Sequence, residues 1–572
     1  MVPHVARPSL TPTFQSKSKF DVLVVGSGAS GGWACKRLAE AGLKVALLDA
    51  GRPRTGRDDR EHIRPFELKY RDRAPEPIRK TRPIQQQCYA CTEYNYDWFC
   101  NDLEEPYTAP TDKPFSWLGR MRIAGGRTNV WGRACLRLSD LDFKAASRDG
   151  FAEDWPLSYP DLEPYYDLAE EYVGVTGIRE SVYELPDGRF QPSMGLTCHE
   201  LLFRSRVKDR LGWTATLAPS ANLTTPINGR APCHYCGPCE RGCVTRSYFN
   251  SAFTTVADAL KTGRCTYIPH AMVHKVLMDT DRNRARGVLY IDRNDRQPRE
   301  LFGRAVVLCA QAQESVRILF NSANSQYPNG LANSSGVLGH YLMAHTLAGG
   351  GSGELPSLGT KPTLNGPNRP INMYIVRFRN TRNGPRSKKF LRGYALQVGI
   401  GLDFNWATPG FGKGYKRALL EPAASVNLSG LGECLPRWEN YVEIDPKVVD
   451  AYGIPVLNIH MADGENEIAM IRDMADAAGE ALEAVGAKNI RTLAGPSAPR
   501  WAIHEVGIAR MGTDPKKSVL NQFQQTHDIR NLWVMDGSGF TSSACQNPTL
   551  TIMALCARSC DYLMGEMKRG NI

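Results

Sequence analysis

The chain has 572 residues, of which 42% are apolar and 23% charged, and its formal net charge is +11. That composition excludes a disordered chain, and the length asks for at least two cores or one two-lobed unit. The positive charge is dispersed, with its densest stretch at Arg52–Arg82 (11 Lys/Arg against 6 Asp/Glu); no nucleic-acid reader motif accompanies it, so a solvated surface or an acidic partner subunit is expected rather than nucleic acid.

Met1–Lys19 is polar, carries Pro3, Pro8 and Pro12, and lacks the apolar region of a secretory signal. No run of about 18 apolar residues occurs, so no membrane-spanning helix is expected. The expected location is cytoplasmic, or periplasmic if a signal-bearing partner subunit carries the chain out.

Asp21–Val25 (DVLVV) reads as a buried parallel strand. It runs into Gly26-Ser27-Gly28-Ala29-Ser30-Gly31, a G-x-G-x-x-G turn. A helix is expected next, with Trp33, Ala34, Leu38 and Ala39 on one face. Gly42 ends it, Lys44–Leu48 forms the second strand, and Asp49 closes that strand 18 residues after Gly31. Each part has a physical task. Gly26 permits the tight turn, Gly28 lets the backbone approach a pyrophosphate, and Gly31 lets helix and strand pack. The helix start faces the anion, and Asp49 accepts from ribose hydroxyls. The unit opens the chain, and Leu47–Arg52 (LLDAGR) has the flavoprotein form, so FAD is expected rather than NAD.

Further on, Cys233, Cys236, Cys239 and Cys243 form C-x2-C-x2-C-x3-C, the spacing of a bacterial ferredoxin run with Val244 in place of the usual proline. An iron–sulfur centre is the leading expectation, with a zinc knuckle and metal-free thiols as alternatives. Cys88, Cys91 and Cys100 are too few for a site of their own. His340 and His345 flank Leu342-Met343 and read as structural, since no third metal ligand is evident. Segments such as Ile371–Phe378 and Tyr441–Ile444 alternate as antiparallel strands do. Asp463–Val485 has helical spacing, and 351–370 and 406–415 read as loops over the active site.

Three more segments resemble the glucose–methanol–choline (GMC) oxidoreductases, and the resemblance spans essentially the whole chain. They are Ile123–Gly132 (IAGGRTNVWG), Val306–Ser322, and the tail Asn531–Leu563. Within Val306–Ser322 the chain has Ala310-Gln311 where the family usually has Ala-Gly. The chain looks closest to bacterial sugar dehydrogenase subunits of the glucoside 3-dehydrogenase type. The resemblance implies an α/β fold, with a Rossmann-type FAD-binding domain and a discontinuous α+β substrate domain built on an antiparallel sheet. The FAD domain would collect residues 19–150, 245–345 and 495–572. A cap region with the cysteines would occupy 151–244, and the substrate-binding part 346–494. The resemblance also implies that Gly125, Gly126, Thr128, Asn129, Asp536, Gly537, Pro548 and Thr549 contact the flavin. His504, in Trp501–Gly512, would be the catalytic base and Asn547 its partner, with a helix N-cap role for Asn547 compatible. Val130 stands where some pyranose oxidases of the family place a histidine that bonds to the flavin, so FAD is expected to be noncovalent. The reaction expected is oxidation of a secondary hydroxyl of a glucoside or free sugar. Electrons would pass to an external acceptor, with a small partner subunit and a cytochrome as possible associates.

Overall fold

The computed structural model describes residues 20–72, 76–356, 369–402, 410–420, 424–495 and 500–572. Of the two stretches read as loops over the active site, residues 357–368 and 406–409 lie outside the described residues, and the second runs into a helix, Gly412–Leu420, where a loop was expected.

Strand β1 (Phe20–Val25) is apolar on both faces because both faces are covered: Val22, Leu23 and Val24 have no exposed surface. It pairs in parallel with β2 (Val45–Leu48) on one side and with the end of Pro298–Leu308 on the other. Cys265–Ile268 and Leu532–Val534 complete a five-stranded parallel layer, adding beyond β2 and beyond Pro298–Leu308 respectively. The first half of Pro298–Leu308 leaves that layer and pairs antiparallel with Arg284–Asp292, which pairs in turn with Ala271–Asp279. Helix α1 (Ala29–Glu40) lies on the layer, and the long C-terminal helix Thr549–Lys568 packs against it through Cys556, whose thiol donates to the Ser30 carbonyl. The two ends of the chain therefore share one core.

A second, antiparallel sheet has the strand order Lys488–Ala494, Gly349–Glu354, Ala424–Glu433, Tyr394–Leu402, Met373–Ile375, Ala215–Leu217. Helix Glu465–Val485 covers it with Met470, Met474, Ala477, Ala478, Ala481 and Leu482, spaced three and four apart on one buried face. The strand at 349–354 was expected as loop from residue 351 onward. Its glycines are there for close approach: a Cβ on Gly349 would fall 2.5 Å from Met474 Cβ and 2.6 Å from the Ile471 carbonyl oxygen. Tyr441–Ile444 is a strand, but not of this sheet. It belongs to a separate hairpin, Tyr441–Val449 with Pro455–His460, whose Val442, Val456, Leu457 and Ile459 join the core of the parallel layer.

Candidate active site

A long cavity runs from the β1–α1 turn to the tail of the chain. Gly26, Gly28, Asp49, Gly126, Thr128, His504, Asp536, Gly537, Pro548 and Thr549 all lie on its wall. At one end Gly26 sits at φ +99°, and a Cβ there would strike the Cys309 carbonyl oxygen at 2.4 Å. Gly31 stands behind the wall, where a Cβ would collide with the Gly26 carbonyl oxygen at 1.7 Å. Gly28 is different: a Cβ would meet nothing within 4 Å, so its missing side chain leaves free space on the cavity side. Among the described residues no side chain caps the start of α1. An uncapped helix start beside open space fits an anionic diphosphate, so these residues fit FAD.

Asp49 accepts from Ser27 N (2.8 Å), from the Ser27 hydroxyl and from Gly51 N (2.6 Å). That uses about three of a carboxylate's four acceptor positions and leaves one for a ribose hydroxyl. Gly125 and Gly126 turn at φ +87° and +50°, and Gly125 N donates to the same Ser27 hydroxyl (2.8 Å). The two glycine turns are thereby tied together. Thr128 and Asn129 serve this turn. The Thr128 hydroxyl donates to the Gly125 carbonyl (2.6 Å). Asn129 donates to the Ala124 and Gly126 carbonyls and accepts from Arg54 and Asn250. Asn129 and Gly125 thus hold the turn in shape beside the cavity. Asp536 accepts from Ser315, from the Ser538 hydroxyl and amide and from the Gln311 amide, while burial raises its pKa; it too organises backbone as well as facing the cavity.

His504 lies where Met343 and Val506 exchange backbone hydrogen bonds, each 2.9 Å. That bridge sets His345 opposite His504, with their Nδ1 atoms 3.0 Å apart. Burial, then His345, then Arg127 hold the His504 pKa well below 6.5, and burial takes His345 down to about 4 against backbone carbonyl contacts from Gln546 and Ala544. Both rings are neutral near pH 7. Carbonyls only accept, so a neutral His345 that donates to them carries its N–H on Nε2. The proton between the rings is then on His504 Nδ1, and His504 Nε2 is left with a free lone pair. Arg127 fixes the neighbouring backbone, donating to the Ile503 carbonyl (2.6 Å) and to both Glu505 oxygens (2.7 and 3.3 Å).

Asn547 directly precedes Pro548, which lines the cavity, without itself being part of the lining. Its side chain makes no capping bond to the helix that follows, and its buried Oδ1 has no hydrogen-bond partner among the described residues. The N-cap role is not made, and the oxygen is left for a ligand. His345 is the residue that sequence reasoning passed over; its position depends on a bridge between segments 159 residues apart, which no local pattern reveals. His340 is structural, stacked on Trp438 at 3.5 Å between ring centroids.

Cys239 and Cys243 are buried and Cys233 and Cys236 half-buried. A tetrahedral zinc with Zn–S bonds of about 2.3 Å needs its sulfurs roughly 3.8 Å apart, and among the described residues no three of these thiols come within 4.8 Å of one another. The thiols as placed do not form a zinc knuckle, and the iron–sulfur expectation finds no support here. The loop lies behind the glycine-pair turn, since Tyr248, packed with Cys239 and Cys243, donates to the Asn129 carbonyl (2.9 Å).

The N-terminal and C-terminal family models of the GMC oxidoreductases match residues 20–347 and 436–556. The chain belongs to the GMC oxidoreductase family and is an FAD-dependent oxidoreductase acting on CH–OH groups. It is 29% identical to the 2-methyl-1,2-propanediol dehydrogenase of Mycolicibacterium austroafricanum, with 96% of each chain covered. It is 27% identical to the fructose dehydrogenase large subunit of Gluconobacter japonicus, covering 96% of this chain and 98% of that one. A formate oxidase of Aspergillus oryzae RIB40, solved for an effect on FAD modification, shares the fold at a TM-score of 0.62 and 14% identity, covering 97% of this chain and 100% of that one. No helix among the described residues is long and apolar enough to cross a membrane.

Proposed function

We propose that this chain oxidises a ring hydroxyl of a sugar or glycoside to a ketone, in its narrowest form the C3 hydroxyl of a glucoside, and hands the electrons to an external acceptor. The observation that carries the reading is the neutral His504, oriented by His345, on the wall of a cavity whose other end is the Gly26–Gly31 turn. Bound FAD supplies a two-electron acceptor for hydride. The chain's own residues do the remaining work. His504 Nε2 takes the hydroxyl proton, which a neutral imidazole does without a further change of state. His345 holds the ring in the tautomer that exposes Nε2. Asn547 Oδ1 accepts from the substrate and fixes its orientation. Ile503 and Val506 give the wall beside His504 an apolar surface that keeps water out. Val130, also on the wall, offers only carbon to the cofactor, so FAD is held noncovalently.

Hydroxyl-bearing substrates are named in both of these relatives, one a sugar and one a diol. The large-subunit description of the second supports a small partner subunit here, and with it either a cytoplasmic location or export on that partner. An iron–sulfur cluster on Cys233, Cys236, Cys239 and Cys243 is proposed on their spacing alone; purified flavoprotein containing neither iron nor sulfide would remove it. The test of function is anaerobic bleaching of the flavin against glucosides, disaccharides, gluconate, fructose and simple diols. Fast bleaching by glucosides with dye reduction and little peroxide is expected. Bleaching by diols alone would overturn the sugar assignment, and stoichiometric peroxide would make the enzyme an oxidase.

A further inference from the structure

His62 and His234 are 172 residues apart in sequence and meet at the surface with their Nε2 atoms 3.1 Å apart. Glu61 lies beside them, and the three side chains each bring one ligand atom into a group whose members all fall within 4.8 Å of one another. The Glu61 side chain has no exposed surface. Its Oε1 accepts from Val244 N, but its buried Oε2 has no hydrogen-bond partner among the described residues. A buried carboxylate oxygen without a donor or a cation is costly, because its lost hydration is not replaced.

The tautomers point the same way. His234 Nδ1 lies 3.4 Å from the Thr245 hydroxyl, and a ring that donates there turns an unprotonated Nε2 toward His62. A single N–H···N bond from His62 would satisfy the two rings and leave Glu61 Oε2 unmatched. One divalent cation held by the two Nε2 atoms and a Glu61 oxygen, of which Oε1 is the nearer to His62, would match both rings and neutralise the buried carboxylate. In a tetrahedral zinc site with bonds of about 2.0–2.2 Å, neighbouring ligand atoms stand roughly 3.3–3.5 Å apart. The observed separations are 3.1 Å between the imidazole nitrogens and 3.9 Å between His62 Nε2 and Glu61 Oε1.

We propose that Glu61, His62 and His234 bind one zinc ion, with a fourth position left to water. The ion would staple the loop around Asp59–Ile63 to the four-cysteine loop. Those two loops are already cross-tied by Arg60 N donating to the Arg241 carbonyl (2.7 Å) and Cys243 N donating to Asp59 Oδ1 (3.0 Å). The cysteine loop backs the glycine-pair turn through Tyr248, so the ion fixes the far side of the cavity wall without entering it. It is a site of nitrogen and oxygen ligands, separate from the thiols.

The test uses the full-length flavoprotein. It is stripped of metal by a chelator and titrated with zinc, and its metal content is measured by elemental analysis. One zinc per chain is expected in the wild type. His62→Ala and His234→Ala should each weaken binding by more than the roughly 10- to 100-fold that loss of a mere supporting partner costs. Both positions are exposed, so folding should survive, and flavin content and melting temperature report on it independently. Cys236→Ser and Cys239→Ser should keep the zinc. Zinc retained in both histidine variants, zinc lost only in the cysteine variants, or no stoichiometric zinc in the reloaded wild type would each overturn the assignment.

Discussion

The Nδ1 atoms of His504 and His345 face each other at 3.0 Å, and each ring is held neutral mainly by burial. His345 is thus a positioning residue, and its contribution is separable from bulk. His345→Leu removes the acceptor for His504 Nδ1–H and should lower kcat by roughly 10- to 100-fold, the usual scale for a group that orients a catalytic partner. His345→Gln keeps an acceptor oxygen and should recover much of that loss. Equal loss in both variants, with flavin content unchanged, would reduce His345 to packing. The same burial sets the pH behaviour. His504 is depressed below 6.5, so the acid limb of kcat/KM should lie below pH 6.5, where activity falls as the ring takes up a proton; a limb above 6.5 would contradict the assignment. Stability runs with it. Between pH 6.5 and about 4 the unfolded chain protonates His345 while the folded chain refuses the proton, so each step down in pH costs stability, and the loss from this group ends near its folded pKa of about 4. Thermal melting across that window should show a shallower slope in His345→Gln than in the wild type.

At the scale of elements, the β1–α1 unit was legible because its constraints are local. Glycines, helix face and closing acid all fall within Asp21–Asp49, and the steric demand on each glycine is set by atoms nearby. Gly28 and Gly31 divide the work in a way that can be measured. Gly31→Val drives its side chain into the Gly26 carbonyl, so it should destabilise the fold outright, lowering Tm by several degrees or more, as overpacking of about 1–3 kcal/mol does. A Cβ at Gly28 meets nothing within 4 Å, so Gly28→Ala should leave the apoprotein Tm nearly unchanged, and Gly28→Val, which extends further into the same space, should abolish FAD retention. An intact flavin content in Gly28→Val would dismiss the cavity as the diphosphate site. Other elements were illegible for reasons that are not local. Gly349–Glu354 reads as loop because its glycines answer to Met474 and Ile471 on a helix more than a hundred residues away. Tyr441–Ile444 shows its strand period but not which sheet it joins. Gln311 adopts φ +84° and ψ 150°, a region that favours glycine, at the position where the family resemblance led us to expect one. The chain tolerates this strain while the Gln311 amide donates to Asp536.

For the whole molecule, the central feature is the meeting of the chain's ends. Leu532–Val534 enters the same parallel layer as β1, and Thr549–Lys568 lies along α1, so a tail more than 500 residues from the glycine turn completes the cavity wall with Asp536, Gly537, Pro548 and Thr549. The family resemblance made this meeting foreseeable in outline. It did not reveal the second histidine. The most direct measurement is anaerobic stopped-flow reduction of the flavin by the best sugar substrate in wild type and His504→Ala, with FAD occupancy determined in both. Equal occupancy with reduction slowed by about 10²–10⁴-fold is predicted, the range attributable to a positioned general base. Equal occupancy with an unchanged reduction rate would contradict the account.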